Sequence, residues 1–321
     1  SFLHDALQIY KNQNFEGRFT PRFSAVIKIA DDNNFRLSYQ QAYRFPSTQN
    51  QWINLRVSGG TALIGGLSTF QTFYHFNTNP VYTVDDNLLA GNPQVQTFNK
   101  FKAESVNSFE GGYKGLLFDK RLLVDLYGYT GTYKNFISSV LVAQSVNGDK
   151  SVFTNPVTVT ANLNNPAVAS TYSVPTNVSG NVSTYGFGLG LTYSLPHNFL
   201  LGGNITSDHL GSVPDGFVAG FNTPDYRWGA NFGNSGFGKG QKFGFNFTYR
   251  WQDKVNYQGD FANGLVPAFQ TLDAQVSYKF TEQKVLLKIG GTNILNQYYI
   301  DGFGNASIGG LYYVSIGYNL F

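Results

Sequence analysis

The stretch that comes nearest to a reactive motif is Gly233 to Gly240, Gly-Asn-Ser-Gly-Phe-Gly-Lys-Gly, which nearly matches a phosphate-binding loop. Two features remove that chemistry. Gly240 stands where a Ser or Thr would hold magnesium, and an alternating aromatic strand follows in place of a helix whose N-terminus could bind phosphate. Gly-Lys-Gly suits a tight turn. Gly186, Gly188 and Gly190 fall on the polar face of a strand pattern, where glycine makes room on a crowded surface and opens no dinucleotide fold. His4, His75, His197 and His209 share no metal-ligating spacing, and Asp85-Asp86 reads as a solvated turn before a calcium site. Cysteine is absent, so disulfides, thiolate zinc sites and thiol nucleophiles are excluded. No catalytic residue, metal site or cofactor is expected. What remains is binding: Gln49, Gln51, Trp52, Phe70, Phe73, Tyr74, Phe76 and Tyr82 combine stacking faces with amides in one long polar stretch. Such a set suits sugars, aromatic siderophores or peptides, and packing of loops against each other accounts for the same residues. Arg44, Gln49, Trp52, Tyr74, His75 and Tyr82 are the candidate ligand contacts.

Elements must position these residues, and composition narrows which elements are available. The 321 residues carry a net charge of +3, too dilute a field for nucleic acid. Aromatic residues reach 17% against 13% charged, which excludes disorder. No run approaches the roughly 20 apolar residues of a membrane helix. Ser1 to Asn14 lacks the marks of a secretory signal, and methionine is absent, so the chain reads as processed or as part of something longer.

Alternation with period two runs from end to end. Phe243, Phe245, Phe247, Tyr249 and Trp251 oppose Lys242, Gly244, Asn246, Thr248, Arg250 and Gln252; Tyr185, Phe187, Leu189, Leu191 and Tyr193 oppose Thr184, Gly186, Gly188, Gly190 and Thr192. Eleven strands are predicted, near 15–30, 35–45, 100–115, 121–138, 183–194, 199–207, 226–237, 241–253, 269–280, 284–295 and 310–321. Pro21 reads as a bulge in the first. Several strands are long enough to cross a bilayer at a tilt, and their connections alternate short and long, with the long ones near 46–98, 140–182, 208–226, 253–268 and 297–310. The fold class is therefore all-β, a transmembrane antiparallel β-barrel with short turns in the periplasm and long loops outside. Tyr39, Tyr43, Tyr249, Trp251 and Tyr278 suit interfacial girdles. Lumenal Arg18, Arg22, Arg36, Arg44, Lys242 and Arg250 pair with a plug or with Glu16 and Asp273, or else line a substrate path. Eleven strands leave an open edge in lipid, so the first part of the barrel is expected to be missing.

Three segments carry a resemblance. Phe35 to Ser47, Phe-Arg-Leu-Ser-Tyr-Gln-Gln-Ala-Tyr-Arg-Phe-Pro-Ser, resembles the strand and loop start of TonB-dependent outer-membrane receptors. Leu89 to Val95 with Val106 to Gly115 is similar to their Gly-Asn-Pro and Gly-Tyr-Lys segment, although Gln96-Thr97 replaces the Pro-Glu. Gly291 to Tyr299, Gly-Thr-Asn-Ile-Leu-Asn-Gln-Tyr-Tyr, resembles the signature near the family's C-terminus, and Phe321 supplies the terminal aromatic that serves as barrel-insertion signal, out of phase with the usual alternation. Phe15 to Phe23 and the Gln49 to Leu67 loop are most similar to receptors of Bacteroidota. The resemblance implies residues 1–321 to be the second half of a 22-stranded barrel, without the plug. It implies TonB-dependent uptake of a scarce nutrient across the bacterial outer membrane. The implied partners are outer-membrane lipid, the TonB complex acting through an absent plug segment and the barrel assembly machinery, and the sequence leaves open whether a surface lipoprotein joins them. A passive porin or a loop-based adhesin is the alternative, and a soluble β-sandwich the third reading.

Overall fold

The computed structural model describes residues 9–12, 14–57, 59–259 and 262–318. Eleven strands join edge to edge in chain order, all antiparallel. They are β1 (Arg22–Ala30), β2 (Asn33–Arg44), β3 (Glu104–Leu117), β4 (Leu122–Lys134), β5 (Asn181–Ser194), β6 (Phe199–Leu210), β7 (Tyr226–Phe237), β8 (Phe243–Gln252), β9 (Phe269–Phe280), β10 (Val285–Thr292) and β11 (Leu311–Tyr318). The sheet path is open: β1 and β11 each pair on one side only among the described residues.

Register converts the alternation into two unlike faces, because a side chain keeps its face only while every strand keeps step with its neighbour. Ile27, Phe35, Tyr113, Leu126, Leu189, Ile205, Trp228 and Trp251 stand opposite one another in an unbroken apolar row. One step along, Asn34, Lys114, Asp125, Gly190, Asn204, Gly229, Arg250 and Thr271 form a polar row on the other face. Most large apolar side chains of the sheet remain exposed, Val276 and Ile316 among them. An apolar outer face and a polar inner face are what a lipid-embedded barrel wall requires.

On the inner face, glycines make room for rings. A Cβ on Gly186 would meet Tyr129 at 2.7 Å, and one on Gly188 would overlap the Tyr127 ring. Gly190 has no such neighbour, its closest being the Asp125 carbonyl at 3.8 Å. On the outer face, Phe23 stacks on Tyr39, which meets Phe109 at 4.8 Å. Trp228 and Trp251 lie 6.4 Å apart near the long-loop end, and Phe243, Tyr278 and Phe280 cluster near the short-turn end, so aromatic side chains mark both ends of the apolar band.

Three strand predictions are corrected. Phe15–Phe19 is not part of β1; it forms a separate hairpin with Ile9–Asn12, the break falling at Thr20-Pro21. Pro21 lacks an N–H for the ladder, but its carbonyl accepts from Gln41, so it opens β1 and is no bulge. The strand near 121–138 leaves the barrel at Asn135, whose φ of 51° is left-handed, and resumes as Ile137–Ser145 in a different sheet. Of Gly233 to Gly240, read as a turn, only the end is one: Gly233 to Phe237 are the last residues of β7, and the turn begins at Gly238, with Gly238 and Gly240 both at positive φ.

Candidate functional site

The long connections fold on each other. Residues 45–103 supply Asn54–Arg56, Ala62–Ile64 and Val81–Thr83; residues 135–180 supply Ile137–Ser145 and Ala169–Asn177; residues 211–225 supply Phe217–Val218. Together these make one six-stranded sheet at the long-loop end of the barrel wall. Its core is apolar and closed: Ile64, Val140, Val142 and Val174 are fully buried with Phe76 and Tyr172, and Leu88, Phe153 and Val159 fill a second cluster. Each fully buried side chain contributes about 1.5–3 kcal/mol, enough to make this assembly a folded cap and not a set of separate loops. Further contacts extend it: Asn222 and Gln258 exchange two hydrogen bonds of 2.8 Å, joining 211–225 to 253–268, and Phe303 lies against Gly264.

The candidate residues separate by position. Arg44, at the loop end of β2, pairs at 3.1 Å with Glu104, a carboxylate buried at the start of β3 that also accepts from the Ile137 N–H at 2.8 Å. The guanidinium stays largely exposed beside a hollow of about 350 Å³ lined also by Tyr43, Tyr133, Phe136 and Phe221. Gln49 and Trp52 lie on the helix Thr48–Trp52, started by a Ser47 and Asn50 capping box. Trp52 is 48% exposed and meets Phe70 edge-on. Tyr74 is half-buried, 5.0 Å from Tyr172, and donates to Asn54 Oδ1 at 2.7 Å. His75 is exposed, at φ 58° in the turn that ends the helix Ser68–Phe73. Tyr82 departs from the surface role expected of it: it is 6% exposed and packs against Phe153, a core position. Phe321 and His4 lie outside the described residues. Asp85 caps the helix Asp86–Leu89 through the Leu88 N–H at 2.9 Å, which explains the acidic pair without a cation.

Burial pushes the Tyr82 and Tyr172 phenols above their usual value of about 10. Both are then neutral in the folded cap and would ionise earlier if it opened. Their contribution is complete below pH 10 and is lost as pH rises through the folded values. The cap is expected to open in alkali before the barrel wall does, as followed by tyrosinate absorbance and limited proteolysis. Tyr82→Phe should shift that opening to higher pH without altering the cap at pH 7.

The polar face below the cap is paired within itself. Arg36 and Lys114 converge on Asp125 at 3.0 and 3.3 Å, with Glu110 at 3.6 Å from Arg36. Arg227 pairs with Asp208, Arg250 with Asp273, and Tyr129 donates to Asp208 at 2.6 Å. The expected Arg250 and Asp273 pair is thus present; the Arg18 and Glu16 side chains lie outside the described residues. His209, 3.3 Å from Asp225 and 2.8 Å from Ser207 Oγ, has the outline of a nucleophile set, but Ser207 is 1% exposed in a regular strand and no substrate reaches it. No group of His, Asp and Glu among the described residues is arranged to hold a metal.

Sequence reasoning missed Glu104 and the second-loop core, Val140, Val142, Tyr172 and Val174. Period two within 137–145 and 169–177 was the signal available for the core; nothing marked Glu104.

A lipid-facing antiparallel wall with short turns at one end and a folded cap at the other defines an outer-membrane β-barrel. The family model for the TonB-dependent receptor-like β-barrel matches residues 5–294, and the chain belongs to that family, whose members are proteins of the outer membrane. Among solved structures it is similar to the ferric enterobactin receptor PfeA of Pseudomonas aeruginosa (TM-score 0.59, 16% identity, 95% of this chain and 40% of that one). It is also similar to the siderophore receptor PirA of Acinetobacter baumannii (0.56, 15%, 95% and 41%) and to the copper transporter OprC (0.57, 16%, 94% and 39%). At these identities the likeness establishes the fold, and the chain spans about two fifths of the length of those proteins. No curated protein matches by sequence.

Proposed function

We propose that this chain forms the C-terminal half of the barrel, together with the ligand-capturing outer cap, of a receptor that takes up a scarce nutrient by TonB-dependent active transport. The observation that carries the reading is the cap: two long connections and part of a third share one sheet and one core over the end of a polar wall. Solved relatives of the same fold are named as siderophore, iron and copper receptors or transporters, which supports uptake in general and leaves the nutrient open. The unpaired sides of β1 and β11 support a half-barrel, since unpaired backbone groups in lipid cost several kcal/mol each. The remaining strands, the plug and the TonB-contacting segment then belong to the rest of the receptor. The polar wall binds and passes its cargo without catalysing a reaction. The barrel assembly machinery would insert it, and a surface lipoprotein would act at the cap.

The test begins with a strain lacking the receptor, compared with its parent in media limited in turn for iron, cobalamin, glycans or peptides. For the nutrient so identified, excising residues 50–95 is expected to reduce uptake to the level of the null strain, and deleting TonB to do the same. Uptake that persists without TonB would favour a passive porin; uptake unchanged by the excision would remove the cap from the account.

A further inference from the structure

We propose that the outer face of β1–β5 holds one phosphorylated lipid of the surrounding leaflet, with its phosphate at Lys134 and a straight, saturated acyl chain in a groove that runs from Thr132 to Gly128 and Gly111. The proposal rests on the apolar face being the lipid-facing one and is independent of what the receptor imports.

The apolar band has an uneven relief. Ala25, Leu37, Gly111 and Gly128 stand opposite one another in one row of the outer face, and Phe23, Tyr39, Phe109, Thr130 and Tyr185 in the next row toward the long loops. The first row is low and the rings of the second are high, so a hollow of about 760 Å³ opens beside them. A Cβ on Gly111 would meet nothing nearer than Leu37 at 3.5 Å, and one on Gly128 nothing nearer than the Gly186 carbonyl at 3.7 Å. These glycines therefore differ from Gly186 and Gly188 of the inner face, which seat rings. Thr130 is the gap in the ring row, between Phe109 and Tyr185, which are 60% and 53% exposed. Along β4 the outer positions run Lys134, Thr132, Thr130, Gly128, about 20 Å of strand that leads from the long-loop end into the hollow.

Charge marks where the head group lies. By register, every Asp, Glu and Arg of the eleven strands faces inward, and so does every lysine but one. Lys134 alone stands on the outer face, opposite Ser105 and exposed at the loop end of β4. A cation on a surface given to lipid costs free energy unless its stem lies along the wall and its head reaches an anion in the head-group layer. A lipid phosphate is that anion. Below it the Thr132 and Thr130 hydroxyls suit the polar linkages of the acyl chains, and the apolar hollow follows. The rows are straight, so an unkinked chain keeps contact with Phe109 and Tyr185 on its way to Gly128, whereas a kinked one leaves the groove.

The test uses the full-length receptor carrying this chain, purified in detergent and stripped until native mass spectrometry shows no bound lipid. The probes are lipid A, dephosphorylated lipid A and dioleoylphosphatidylglycerol. Lipid A should bind the parent one to one and more tightly than either comparator. Lys134→Gln should weaken lipid A about fivefold and leave the dephosphorylated form unchanged. Gly111→Leu/Gly128→Leu, which fills the hollow, should weaken both forms at least about tenfold. Gly203→Leu is the control: this outer-face glycine lies outside the hollow, its Cβ would meet nothing nearer than the Gly229 carbonyl at 3.5 Å, and binding should equal that of the parent. Heat-modifiable gel mobility checks that each variant is folded, and Lys134→Gln disturbs no packing, so it stands as a test even where the filled variant fails to fold. Undiminished lipid A binding by Lys134→Gln or by the folded filled variant, an equal loss in Gly203→Leu, or equal affinity of the parent for dioleoylphosphatidylglycerol would each overturn the proposal. Uptake is not read, so none of these outcomes bears on the transport reading.

Discussion

Valine in place of Gly186 is expected to leave little folded receptor. The new Cβ would lie inside contact distance of the Ser207 carbonyl, a backbone atom of the paired strand, and 2.7 Å from the Tyr129 ring. A flexible side chain could turn away, but a carbonyl held in the ladder cannot, so either β5 and β6 separate or Tyr129 leaves Asp208. The cost is about 3 kcal/mol or more, at the upper end for overpacking. Heat-modifiable gel mobility should show mostly unfolded protein. Gly190→Ala, four residues along the same face, where a Cβ meets nothing nearer than the Asp125 carbonyl at 3.8 Å, should fold as the parent does. Equal folding of both variants would mean that the inner-face glycines do not seat the tyrosines.

Val142→Asp is expected to unfold the cap and spare the wall. Val142 is fully buried between Ala62, Ile64, Val81 and Val174, where a carboxylate finds no partner and costs several kcal/mol. The wall forms a separate sheet and does not depend on that core. Limited proteolysis should therefore cut within 45–103 and 135–180 while the gel mobility of the folded barrel is retained, and nutrient uptake should fall to background. A protease-resistant cap in this variant would contradict the assignment of Val142 to a shared core.

The wall was legible because each strand alternates and each end carries turn residues. Tyr226–Phe237 and Phe269–Phe280 agree with expectation residue for residue, and the other strands differ mainly at their ends. Local patterns could not locate the break at Thr20-Pro21, since the apolar alternation of Phe15 to Phe19 continues into Phe23 and only pairing separates the two. Nor could they reveal that the 140–182 connection carries cap strands. Period two is present there but faint, because Leu141 between Val140 and Val142 and Pro175 after Val174 put apolar residues on both faces. At the candidate site, the residue types were legible but their exposure was not. Tyr82 and Trp52 look alike in sequence, and one became core and the other surface according to which strand or helix each occupies in the cap. Glu104 was invisible because its role depends on Arg44 and the Ile137 N–H, brought to it by the pairing of β2 with β3 and by the chain's exit at Asn135.

The central claim, that eleven strands are half of a closed receptor barrel, is tested most directly by the intact mass of the denatured polypeptide extracted from the outer membrane. This sequence accounts for 35.5 kDa. The account predicts one covalent chain of at least about twice that mass, since the missing strands and plug must be supplied before β1. A polypeptide of 35.5 kDa would contradict it, because the two open edges would then have to close against a second chain.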